Sequence, residues 1–424
     1  MAGIDPFRAL RYDAAQVDLG RVIAPPYDVV AREERQELFD RDPHNAVRLE
    51  LTRRVEEETD TDYAHVRETL DAWGRTGILV RDETPALYVL RQSFKAPDGR
   101  RLSRDGFFAA LRLEDYEAGI VRPHERTLAG PKADRLRVLR ATRANLSPVF
   151  MLYEDREEDL AGVLSDALLG DDVVHAHDAA GVQHSLAALH NESAVGRVRD
   201  FLADLPLVIA DGHHRYETAL AYRDERRAAA GQATGQEPYD AILVYLANAF
   251  APGSLLLPIH RVIKEAAVPA AFARGEGLDG WSSKSVALPG ESAIEEALEE
   301  HLAPHAGKPS FAADDGAGRL QIFWRDEDLG ERLMVRILED EIMGGIFGFD
   351  ADAIRDGAVG FPKSALQAAR EVRSGRGTLA FYLLPVRPED VFRVSAAGQV
   401  MPQKSTFFAP KIPTGLVFRD EEAP

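Results

Sequence analysis

The sequence predicts a mixed α/β (α+β) protein of several parts, and three observations carry that expectation. The chain has 424 residues, more than the ~100–200 of an ordinary domain. Short apolar runs that read as strands alternate with stretches of helical period along most of its length. Hydrophobic residues make up 45% of the chain, enough to give each part its own core. The expected division is an N-terminal α+β region over 1–95, a phosphate-binding core over 96–265 and a C-terminal α+β region over 266–424.

In the first part, residues 21–30 read as a short strand stopped by Pro25 and Pro26, and residues 31–40 as a charged helix. Residues 47–51, Val-Arg-Leu-Glu-Leu, alternate as a half-buried strand does. Tyr63, Val66, Leu70 and Trp73 recur at spacings of three and four, which predicts an amphipathic helix over 62–76. Residues 86–94 and 104–112 read as paired strands joined through Ala96-Pro-Asp-Gly99, which supplies turn chemistry. A loop from Arg122 to Thr127 leads into a basic helix, 132–143, and a strand, 147–153. Short strands are expected near Val173 and Ser185, then a helix over 192–202, a buried strand over 206–210, a long helix over 215–230 and a buried strand over 241–248. The C-terminal part reads as helices near 293–302 and 364–374 with strands at 319–324, 378–384 and 415–418.

Composition excludes several functions. Cysteine is absent, so there is no disulfide scaffold, thiolate metal site or cysteine nucleophile. That absence fits a reducing compartment. The start shows no signal-peptide pattern, and no run approaches the ~18 apolar residues of a membrane span. A cytoplasmic protein with no membrane partner is therefore expected. The formal charge of −19 opposes a phosphate backbone, so no nucleic-acid partner is expected. A small phosphate ligand is still possible where cations converge locally.

They converge at Ala210-Asp-Gly-His-His-Arg-Tyr-Glu217. A buried strand ends there, Gly212 permits a tight turn and a helix begins. The first turn of a helix offers unpaired amides and the positive end of its dipole, which favour a phosphate. His213, His214 and Arg215 add donors, and Arg can grip phosphate with two parallel hydrogen bonds. Asp211 is placed to hold a metal ion, orient a histidine or cap the helix. The bland alternative is an Asp cap beside solvated histidines. A second cluster is Arg122-Pro-His-Glu-Arg-Thr127, followed by Lys132 and Arg135: a candidate general base, Glu125, among cations that could neutralise phosphate oxygens. A charged surface loop would read the same way. A third cluster, Lys404, Ser405, Thr406 and Lys411, puts hydroxyls beside lysines without the glycine spacing of a P-loop. Tyr27 and Asp28, in Ala24-Pro-Pro-Tyr-Asp28, form a rigid turn that could line a site or be purely structural.

Together these pieces, with Gly130-Pro-Lys132 and Met401-Pro-Gln-Lys-Ser-Thr406, resemble the bacterial and archaeal proteins grouped as domain of unknown function 1015. Pro123-His-Glu125 with Asp211-Gly-His-His-Arg215 is also similar to the pattern of the ParB/sulfiredoxin superfamily, within it that of free serine kinases. That resemblance implies a ParB/sulfiredoxin-like mixed core with added N- and C-terminal α+β regions. It implies Glu125 as base and the Asp-Gly-His-His-Arg turn as phosphate holder. The missing cysteine excludes sulfiredoxin chemistry, and no helix-turn-helix of ParB type is visible.

The expected function is phosphotransfer to a small hydroxylated metabolite, free L-serine foremost, or the reverse reaction on phosphoserine, with Mg²⁺ and ATP or ADP. Glu125, Asp211 and His214 are the candidate catalytic residues, with Asp211 also the candidate metal contact. Gly212, His213, Arg215, Lys132, Thr127 and Arg126 are expected at the phosphates. His124, Tyr27, Asp28, Lys404, Ser405 and Thr406 are expected at the substrate. Two alternatives are a nucleotide-binding regulatory module without turnover and a metal-dependent phosphohydrolase using His124, His213 and His214. The acceptor, the nucleotide, the direction and the oligomeric state are not legible in the sequence.

Overall fold

A computed structural model describes residues 2–51, 63–125, 127, 129–232, 234–274 and 278–421. Its contacts form two units: Met1–Leu255 with Ser395–Gln399 and Pro410–Pro424, and Leu256–Val394 with Val400–Ala409.

Among the described residues the first unit carries a nine-stranded mixed sheet. Its strands are β1 (Ile4–Asp5), β2 (Leu87–Lys95), β3 (Arg101–Arg112), β4 (Val121–Arg122), β5 (Val149–Tyr153), β6 (Val174–His177), β7 (Gln183–Leu189), β8 (Leu207–Asp211) and β9 (Ala241–Asn248). The order is β4-β8-β5-β9-β3-β2-β7-β6, with β1 beside the end of β3. The sheet thus takes strands from both sides of residue 95. Its middle strands β5, β8 and β9 are unbroken apolar runs, as expected where both faces are covered. Val149, Met151, Ile209, Val244 and Leu246 form one core cluster on this sheet with Leu87, Val89 and Phe107. Two helices position the site: α1 (Ala129–Thr142) and α2 (His213–Ala230), which pack on each other.

The second unit has a six-stranded sheet in the order Ser282–Ala287, Arg319–Trp324, Ser310–Asp314, Leu379–Tyr382, Arg261–Ile263, Val359–Gly360. Every pair in it is antiparallel. Alternate residues serve opposite faces: Phe311, Ala313, Phe323, Leu379 and Phe381 pack in one cluster, and Ala312, Leu320, Ile322, Ala380 and Tyr382 in another.

Three expected strands are absent as such. Val47–Glu50 is a helical turn, because Asn45 accepts the Val47 N–H at 3.0 Å and donates to the Arg21 and Ile23 carbonyls, nucleating the turn. Within residues 21–30 the chain forms the end of a short helix, Leu19–Val22, whose Asp18 cap accepts the Gly20 N–H. Only Ala24 bridges a neighbouring chain segment there, at Thr414. Near residues 415–418, Phe418 makes a single bridge to Leu10, and the strand itself is Arg419–Asp420, paired with Ala144–Asn145. No helix among the described residues is long and apolar enough to cross a membrane.

Candidate active site

β8 carries Leu207, Val208, Ile209 and Ala210 inward, and its register against β5 shifts between Ile209 and Asp211. Such a bulge re-aims the residues that follow. Gly212 then adopts φ +93°, the left-handed region, and α2 starts at His213. A Cβ at Gly212 would also lie 3.0 Å from the Arg215 guanidinium.

The guanidinium is held by protein. Arg215 Nη2 donates to Asp211 Oδ2 at 2.6 Å, and Nη1 donates to the Pro148 carbonyl. The other Asp211 oxygen accepts from Lys411 Nζ. Burial alone would raise the Asp211 pKa. The Lys411 and Arg215 charges outweigh it and hold the carboxyl well below its usual range. Asp211 is therefore a carboxylate between two cations.

His213 and His124 form a buried pair. Their rings meet edge to face with centroids 4.7 Å apart. His213 Nε2 accepts the His124 backbone N–H at 3.3 Å, and His124 Nδ1 donates to the Ile209 carbonyl at 2.6 Å. Burial pushes His124 down to about 4, and burial followed by the neighbouring His124 pushes His213 well below 6.5. Both rings are neutral at pH 7.

The rest of the site faces outward. His214 is half-buried, and its pKa is lowered by burial against the opposing pull of Glu125, Glu217 and Asp28. All three carboxylates favour the charged imidazole electrostatically. Glu217 Oε2 accepts from Thr127 Oγ1 at 2.6 Å and Lys132 Nζ at 2.9 Å. The Tyr27 ring lies under Arg135, 4.0 Å from centroid to Cζ, and Tyr27 is pushed up to about 12 by burial despite Arg215 and Arg135.

The structure therefore assembles Tyr27, Asp28, His124, Glu125, Thr127, Lys132 and Asp211–Arg215 in the first unit. Arg126 lies outside the described residues. Lys404, Ser405 and Thr406 belong to the second unit. There Ser405 Oγ donates to the Pro402 carbonyl at 2.6 Å, and the Lys404 carbonyl accepts from Arg261 at 3.2 Å. Arg135, read from sequence as a phosphate neutraliser, is buried and binds Glu50 and Asp134.

Two features escaped the sequence reading. Lys411 was grouped with Lys404–Thr406, but it reaches the turn at Asp211. Glu50, in the alternating segment 47–51, anchors Arg135 at 3.0 Å and accepts from Ser147 Oγ, which is itself bonded to Thr414. No sequence signal marks it: read as an alternating strand, residues 47–51 turn Glu50 to solvent. Asp211 does not fit as a metal contact, because each oxygen already faces a cation. No group of three or more potential ligands is found among the described residues.

The chain belongs to the family described as protein of unknown function DUF1015, whose model matches residues 4–275. No curated protein matches it. Solved structures that resemble it include a conserved hypothetical protein from Pyrococcus furiosus, 14% identical, covering 74% of this chain and 96% of that one at a TM-score of 0.34. A free serine kinase in complex with AMP is 14% identical over 73% of this chain and 92% of the kinase, at 0.32. SbnI with a C-terminal truncation, from Staphylococcus aureus, is 11% identical over 74% and 87%, at 0.33. Likeness at this level transfers neither an activity nor a residue role.

Proposed function

We propose that this protein is a nucleotide-dependent phosphotransferase acting on a small hydroxylated metabolite, with free L-serine as the first acceptor to test. The observation that supports it best is the half-buried cluster at the start of α2: Lys132 and Thr127 both bonded to Glu217, beside His214, on which Glu125 exerts an electrostatic pull. The Pro123-His-Glu and Asp-Gly-His-His-Arg motifs, similar to those of free serine kinases, supply the choice of acceptor.

Glu125 takes the acceptor's hydroxyl proton as its oxygen attacks the terminal phosphoryl group. The new P–O bond forms as the bond to the leaving nucleotide oxygen breaks. Lys132 and the first-turn amides of α2 stabilise the charge that develops on the phosphoryl oxygens. Asp211, fixed by Arg215 and Lys411, shapes the turn. Mg²⁺ would be held by the nucleotide phosphates and would neutralise their charge.

A non-catalytic nucleotide-binding module is the second reading, favoured by the internal neutralisation of Asp211 and Arg215. Incubation with ATP or ADP, Mg²⁺ and L-serine, followed by mass spectrometry for phosphoserine, tests the first. Glu125→Gln is expected to cut turnover about 10²–10⁴-fold while nucleotide-induced thermal stabilisation persists. Stabilisation without turnover in the native protein supports the binding module. No phosphoserine formed or consumed with either nucleotide removes serine as the acceptor.

A further inference from the structure

The second unit holds a cavity of its own, about 110 Å³. That is smaller than the ~150 Å³ of an engineered apolar cavity that accepts benzene, so it takes a short branched chain or the edge of a single ring. Ile259, Leu329, Leu333, Met334, Val335 and Leu383 line it. Its charged lining residues are Lys308, Arg387 and Asp390, a net +1 within a chain of −19.

Both cations are paired yet partly exposed. Lys308 pairs with Asp326 at 3.0 Å, but the two side chains are 39% and 71% exposed, and a pair so solvated is weak. Arg387 binds Asp390 at 2.9 and 3.1 Å, and Arg393 holds the same carboxylate at 3.1 Å. Arg387 spends Nε and Nη2 on Asp390, and its side chain is 59% exposed, so Nη1 can bond a ligand while the pair stays intact. A third donor is weakly satisfied. Ser310, 1% exposed, precedes the first rung between its strand and Leu379–Tyr382, at Ala312. Its N–H donates to Met334 Sδ at 3.2 Å, a poor acceptor.

We propose that this cavity is a binding site for a small carboxylate with a compact apolar body. The apolar part lies on the Leu329–Leu333–Met334 wall and the carboxylate between Lys308 and Arg387. Free aryl or branched carboxylates and apolar α-amino acids share that chemistry.

Calorimetric titration of benzoate into the full-length protein tests it, with benzylamine and benzyl alcohol as charge controls. Benzoate is expected to bind at least about 10-fold more tightly than either control, the ratio one charged hydrogen bond supplies. Lys308→Gln, at a side chain 39% exposed, should keep the native urea midpoint and weaken benzoate about 10-fold. Leu333→Trp, which fills the cavity, should abolish binding. Comparing 3-phenylpropionate with L-phenylalanine separates the two sources, and tighter binding of either supports the site. Absence of saturable benzoate binding up to about 10 mM overturns the proposal, as does full affinity in the Lys308→Gln variant.

Discussion

Asp211, His213 and Arg215 interleave in sequence with His214 and Glu217, yet the two sets meet different surroundings. The inner set is bound to the protein: Asp211 to Arg215 and Lys411, His213 to the His124 backbone, Arg215 to Pro148. The outer set is half-buried and shares its space with Glu125, Asp28, Thr127 and Lys132. The residues that most resemble a phosphate grip on paper are those the fold uses to build the turn. The residues proposed to meet a ligand are its neighbours one helical step away. If that division is right, substitutions in the inner set act first on stability, and those in the outer set act first on binding and turnover.

The largest effect is expected at Asp211. Asp211→Ala leaves Arg215 and Lys411, whose side chains are 10% and 16% exposed, facing each other without their common carboxylate. Removing one partner of a buried ion pair costs about 3–5 kcal/mol. Urea unfolding of the variant should show a loss of that order. A loss below about 1 kcal/mol would place Asp211 among exposed pairs and erase the distinction between the two sets.

The inner histidines give the next effect, as a pH dependence. Burial drives the fall of His124 to about 4, partly opposed by its bond to the Ile209 carbonyl and by Asp211, and His213 falls in the same direction. An unfolded histidine takes its proton near pH 6.5. Between there and about 4, the unfolded chain binds protons that the folded chain refuses. Stability is therefore full above pH 6.5 and falls as the pH falls through that window. The His124 shift alone corresponds to roughly 3 kcal/mol. Urea midpoints at pH 7.5, 6 and 5 should decline, and the decline should be shallower in His124→Gln. Equal slopes in both proteins would show that the buried pair does not govern the acid response.

Much of the framework was legible because local signals agreed with the tertiary outcome. Ala241–Asn248 is an apolar run long enough to be only a buried strand, and Glu192–Leu202 begins after Asn191, whose side chain caps Ala194. Arg319–Trp324 lies between two strands of its sheet, so its sequence carries the apolar signal. Ser282–Ala287 gave no signal, since this edge strand of mostly Ser, Lys and Ala keeps its side chains largely exposed, with only Val286 packed on the core. The α2 turn was legible because strand, glycine and helix start are contiguous. Lys411 and Glu50 were not, because their roles depend on chain segments 200 and 85 residues from their partners. No periodicity reports such a meeting.

The smallest effect belongs to the outer set and tests it most directly. Glu217→Gln removes the charge facing Lys132 but keeps an oxygen for the Thr127 hydroxyl. The Lys132–Glu217 pair, with side chains 37% and 23% exposed, is solvated enough that its loss should cost under about 1 kcal/mol. The consequence should appear in ligand binding instead. In the native protein a phosphate at the start of α2 competes with Glu217 for Lys132 and is repelled by the same carboxylate. The variant frees the lysine and removes the repulsion, so nucleotide affinity should rise about 2–5-fold, the same sub-kilocalorie scale seen from the ligand's side. Thermal-shift titration with ATP and ADP reads this directly. Affinity that stays constant or falls would mean that Lys132 serves only to hold Glu217, and that the phosphates are gripped elsewhere on the turn.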